Sequence, residues 1–141
     1  MRRVFAALAA CELLAVVAQF FLAAGGAFDT APNEESFQAH RLLGAGIILL
    51  AVLVTVVAAA ARMPGRLIAM SGLLAGLAVV QVVIGAIATA FDGAGGSSTT
   101  AGELVFGLHA LNGLAILAVA VRIVREAGRT SRPVTATHQA P

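Results

Sequence analysis

The chain has 141 residues, of which 60% are hydrophobic and 11% charged, with neither Trp nor Tyr and a mean hydropathy of +0.96. That balance excludes a soluble globular domain and leaves a membrane protein. Its net charge of +2 and pI near 10.0 come from nine basic residues, all Arg; they fall on one side of the predicted spans, so the expected partner is anionic lipid in the bilayer, not nucleic acid.

In chain order, Arg2-Arg3 precede a first span over 4–24. Leu8-Ala9-Ala10-Cys11 has the form of a lipoprotein cleavage box, but the apolar run continues past it to Ala24, so the match is read as coincidence. A cleaved signal peptide ending in Ala23-Ala24-Gly25-Gly26-Ala27 is the stronger alternative. Its removal would leave three spans and break the repeat described below. The lone Cys11 excludes an intramolecular disulfide. Inside this span Glu12 and Gln19 share a face, seven residues apart, and a charged carboxyl at that depth is costly. Glu12 is read as a protonated packing partner, or as a station of a proton or quinone site.

Residues 25–36 form a short loop with turn chemistry at Gly25-Gly26, Asp29 and Pro32-Asn33. A second span covers 37–61. The link Arg62-Met63-Pro64-Gly65-Arg66 predicts a tight turn, with Pro64 stopping the helix and Gly65 adopting positive φ. The third span is 67–90, and 92–102 is a Gly/Ser/Thr-rich loop, a lid or a tether. The fourth span, 104–124, is followed by Arg-rich chain and a polar tail over 133–141, expected to be disordered, in which His138 is solvated. Arg2, Arg3, Arg62, Arg66, Arg122, Arg125, Arg129 and Arg132 lie on one side, facing Asp29, Glu34, Glu35, Asp92, Glu103 and the single Arg41 on the other. The positive-inside rule makes the Arg side cytoplasmic, so both termini are inside the plasma membrane of a bacterium. The fold class is an all-α membrane protein: an up-down-up-down bundle of four transmembrane helices over 1–132.

The pattern Glu-x-x-Phe-x-x-His-x-x-x-Gly is written twice, as Glu34, Phe37, His40, Gly44 and as Glu103, Phe106, His109, Gly113. The same offset aligns Leu42 with Leu111, Ile47 with Ile116, Ala51 with Ala120 and Val52 with Val121, and Gln19 echoes Gln81. The unit is therefore a two-helix repeat. Helices two and four run parallel in such a bundle and sit diagonally, placing His40 and His109 at equal depth near the outer surface, facing across the centre. Phe37 and Phe106 lie one turn outward and Gly44 and Gly113 one turn inward on the same faces. Gly at that place leaves room for a flat macrocycle, or only lets helices approach. Two imidazoles match the axial positions of one haem iron, whereas zinc takes three or four protein ligands. Arg41 pairs either with a haem propionate or with Glu34, Glu35 or Glu103. Asn112 either orients the His109 imidazole or bonds a facing helix.

His40-Arg41-Leu42-Leu43-Gly44, the third-span stretch Leu77-Ala78-Val79-Val80-Gln81-Val82-Val83-Ile84-Gly85, and His109 with its Ala/Leu-rich helix together resemble one half of haem A synthase. The resemblance spans about 35–124 and implies a four-helix unit holding a haem between His40 and His109. The position three before His40, acidic in that family, is Phe37, and the outer-loop cysteine pair of some members is missing. The chain also resembles small uncharacterised four-helix membrane proteins of actinobacteria in size, histidine pair and composition. The expected function is a b-type haem protein with His40 and His109 as ligands, transferring electrons to a membrane redox partner. The alternatives are a cofactor-free structural or accessory subunit, and a haem-handling protein related to haem A synthase that dimerises to restore eight helices.

Overall fold

The computed structural model describes residues 1–91 and 99–130. Four long helices, α1 (Arg2–Phe28), α3 (Gln38–Ala60), α4 (Gly65–Thr89) and α5 (Thr100–Thr130), are each long and apolar enough to cross a membrane; a single-turn helix α2 (Asn33–Ser36) joins α1 to α3. At 1.5 Å per residue, α5 is about 46 Å long and outruns a hydrocarbon core of about 30 Å. Its excess lies at the end carrying Arg122, Arg125 and Arg129. The expected tail over 133–141, with His138, and the loop segment 92–98 lie outside the described residues.

Each long helix packs on two others in a closed ring, α1 on α3 and α5, and α4 on α3 and α5. The α3/α5 pair is therefore diagonal, as the repeat predicts. The buried set of α1, Phe5, Ala9, Glu12, Val16 and Gly26, shifted by 62 falls on that of α4, namely Leu67, Ser71, Leu74, Ala78 and Ala88. Shifting Ile47, Ala51, Val54 and Ala58 of α3 by 69 likewise gives Ile116, Ala120, Ile123 and Ala127 of α5. Residues at those spacings share one helix face, so the two halves present the same stripe to a common axis. The remaining apolar side chains, such as Leu42, Leu49, Val82 and Leu111, are exposed and form a lipid-facing surface.

Three local expectations are corrected. Gly25 and Gly26 do not turn the chain; they are in the last turn of α1. A Cβ on Gly26 would lie 2.8 Å from the Ser36 carbonyl oxygen and 2.9 Å from the Phe37 ring, so Gly is needed there for close approach of the connecting segment. In the tight link the residue with positive φ is Arg62, at 49°, and not Gly65. The Arg62 and Met63 amides donate to the Ala59 and Ala58 carbonyls, each at 3.0 Å, which is the double-bonded Schellman ending of α3. Pro64, extended at ψ 137°, then caps α4, and Gly65 is already helical. Finally, Thr100, Ala101 and Gly102, assigned by sequence to the second loop, form the first turn of α5.

Candidate functional site

His40 occupies the first turn of α3, which starts at Gln38, and His109 lies about two turns into α5. Both are half-buried. Their ring centres are 6.3 Å apart with planes tilted by 46°, so the repeat does bring the two imidazoles together across the diagonal. Phe106 stacks on His109 with centres 5.3 Å apart and planes 7° from parallel, while Phe37 meets His40 edge-on at 6.1 Å. Each Phe thus lies against its histidine.

Each imidazole is held by a glutamine on the neighbouring helix of its own half. The Gln19 amide donates to the His40 carbonyl oxygen at 2.8 Å, and His40 Nδ1 lies 3.2 Å from the Gln19 carbonyl oxygen. The second half repeats both bonds at the same lengths, Gln81 to the His109 carbonyl and His109 Nδ1 to the Gln81 carbonyl. A carbonyl oxygen can only accept, so Nδ1 of each ring must carry the proton. Its Nε2 is then the lone-pair nitrogen in both rings. Locking one nitrogen to a backbone carbonyl so that the other presents its lone pair is the usual support for a metal-ligating histidine.

The remaining site residues divide by what they touch. Asn112 donates from its amide to the Leu77 carbonyl at 2.9 Å and to Gln81 Oε1 at 2.5 Å, so it bonds the facing helix and positions Gln81; it does not contact His109 directly in this way. The equivalent position in the first half is Leu43, and Gln19 Oε1 is buried without a partner. Arg41 donates to the carbonyls of Asn33 and Glu34, tying α2 to α3. A Cβ on Gly44 would lie 3.0 Å from the Gln19 amide nitrogen, and one on Gly113 would lie 3.5 Å from Phe20 and 3.6 Å from the Gln81 amide nitrogen. The space beneath each histidine is therefore occupied by its glutamine. Gly85 faces His109 itself, at 3.7 Å from Nδ1. Among the described residues no three His, Cys, Asp or Glu side chains converge, so the donor set is the imidazole pair.

The glutamines were visible in the sequence only as markers of the repeat, and Gly85 not at all. The missed signal was that each is an amide inside an otherwise apolar span, where a polar side chain needs a partner. The segment from Gln19 through α3 to the end of α4 also matches a known family. Residues 19–90 fit the family of unknown function DUF6220, just over half of the chain. This chain belongs to that family. The matched segment contains Gln19, His40, Arg41, Gly44 and Gln81, and stops before Phe106, His109 and Asn112. No curated protein and no solved structure matches the DUF6220 chain.

Proposed function

We propose that this protein holds one b-type haem between His40 and His109 and carries electrons within the plasma membrane of a bacterium. The observation that carries the reading is the paired Gln–His clamp, which leaves an Nε2 lone pair on each of two imidazoles. The spacing supports it. A metal–nitrogen bond of about 2.0–2.1 Å, with roughly 1.1 Å from nitrogen to ring centre, sets two axial imidazole centres about 6.3 Å apart, against the 6.3 Å measured. A bound haem with both axial positions filled supplies reversible one-electron transfer at its iron. The chain's own residues have three tasks. Gln19 and Gln81 fix the imidazole tautomers, Asn112 holds Gln81, and Phe37 and Phe106 cover the rings. With the Arg-rich end in the cytoplasm, both termini are inside and the histidines lie near the outer surface.

A second reading, a cofactor-free accessory subunit, draws on a different observation. Gly44 and Gly113 are accounted for by the glutamine and Phe20 side chains packed against them, without a macrocycle. A haem-handling role akin to haem A synthase uses the same histidine pair as the first reading.

Expression with ample haem separates these readings. The first gives a red protein with a low-spin, six-coordinate spectrum; His40→Ala and His109→Ala each turn it high-spin or empty, and the double variant is colourless. A colourless wild-type protein, or a spectrum indifferent to both substitutions, refutes haem ligation by this pair.

A further inference from the structure

We propose that Glu12 is a proton-binding group at the centre of the bundle, kept as the neutral acid and sharing one internal water with the Ser71 hydroxyl. Glu12 is 2% exposed, and neither carboxyl oxygen has a hydrogen-bond partner. It borders a void of about 10 Å³ to which all four long helices contribute, close to the smallest space that admits a single water. The groups facing it are Ala9 of α1, Ala51 and Val54 of α3, Leu74 of α4, and Ala120 and Ile123 of α5, none of them titratable; Ser71 is the other polar one. No counter-charge is available there, and an unpaired carboxylate in such surroundings is heavily disfavoured.

The hydrogen-bonding roles close. Ser71 Oγ donates to the Leu67 carbonyl at 2.9 Å, which leaves its lone pairs to accept. A neutral Glu12 donates through its O–H to the water, and the water donates to Ser71 Oγ and back to the Glu12 carbonyl oxygen. That arrangement satisfies both oxygens left orphaned in the protein-only network. Packing does not require either residue. The repeat places Leu74 where α1 has Glu12, and Ala9 where α4 has Ser71, so this layer of the core has an apolar version already present in the same chain. Glu12 is seven residues, about 10 Å along α1, from Gln19, so the proton site is separate from the histidine pair and stands whether or not haem binds.

Infrared spectroscopy of the full chain in lipid bilayers at neutral pH tests it, in ordinary and heavy water. The expected result is a neutral-carboxyl stretch that moves to lower frequency in heavy water, disappears in Glu12→Gln and persists in Glu35→Gln. Ser71→Ala should shift the band, because the shared water loses one acceptor. Absence of any neutral-carboxyl band in the wild type, or its survival in Glu12→Gln, overturns the proposal. An unmoved band in Ser71→Ala overturns the shared water. If Glu12→Gln does not fold, as judged by its helical circular dichroism, the Ser71→Ala comparison decides alone.

Discussion

Replacing Leu43 by Asn should stabilise the bundle, which is unusual for a polar residue introduced into a membrane helix. Leu43 stands where the second half has Asn112, and the Gln19 Oε1 that an amide at 43 would reach is buried and unpartnered. In the second half the corresponding bond, Asn112 to Gln81 Oε1, is 2.5 Å long. Interhelical hydrogen bonds within membranes contribute about 0.6 kcal/mol on average and up to roughly 1.7 kcal/mol. Leu43 is half-buried against the core, and trading it for Asn forfeits some dispersion contacts, a few tenths of a kcal/mol each for a handful of neighbours. The net expectation is a gain of about 0.5–1 kcal/mol, a two- to five-fold shift in the unfolding equilibrium. Reversible unfolding in mixed micelles, driven by a rising fraction of denaturing detergent and followed by circular dichroism, measures it. Asn112→Leu should lose a similar or larger amount, and Leu42→Asn, on a position 68% exposed to lipid, should destabilise. If Leu43→Asn is as damaging as Leu42→Asn, position 43 does not face Gln19 and the two-fold relation of the halves fails at this layer.

Three further outcomes follow from the connections and the charge distribution. Gly26→Ala should destabilise by about 1–3 kcal/mol through overpacking against Ser36 and Phe37, whereas Gly25→Ala, whose Cβ meets nothing, should stabilise by up to about 1 kcal/mol through helix propensity; the same unfolding assay reads both. Arg62→Gly should add about 1 kcal/mol by relieving a left-handed backbone conformation in an L-residue, and a loss in that assay would show that the Arg62 side chain contributes more than its backbone costs. In a Cys11→Ser background, single cysteines at Asn33 and at Arg62 should be labelled by an impermeant maleimide from opposite faces of the membrane, Asn33 from outside; labelling of both from one face refutes the four-span arrangement.

The sequence carried the four spans, their diagonal pairing and the meeting of His40 with His109, because each depends on hydropathy, short connections and a repeat offset that can be counted along the chain. What escaped it depends on contacts between helices. The Gln–His clamps join residues 21 and 28 positions apart through backbone carbonyls, and no periodicity marks which carbonyl a glutamine will reach. Gly26 was read as a turn because glycine pairs usually are, yet its role is set by Phe37 and Ser36 approaching from beyond the helix end. Gly65 was given the positive φ by the same rule. Pro64 makes that impossible by starting α4 directly after itself, so the reversal falls on Arg62, where the Schellman bonds offset the strain. Arg41 illustrates the same limit, since its guanidinium serves two backbone carbonyls of α2 that no charge count could indicate.

Joining both repeat units in one polypeptide frees the assembly from strict duplication. Two separate hairpins meeting about the same axis would have to present every inward residue in two copies, so an acid at the Glu12 position would bring a second acid into the same small central space, and Ser71 and Asn112 would likewise come in pairs. Covalent linkage through residues 61–64 lets one half keep leucine opposite the other half's glutamate. The histidines and glutamines stay doubled while the carboxyl is single, which gives an otherwise two-fold bundle an inbuilt direction, from one half toward the other.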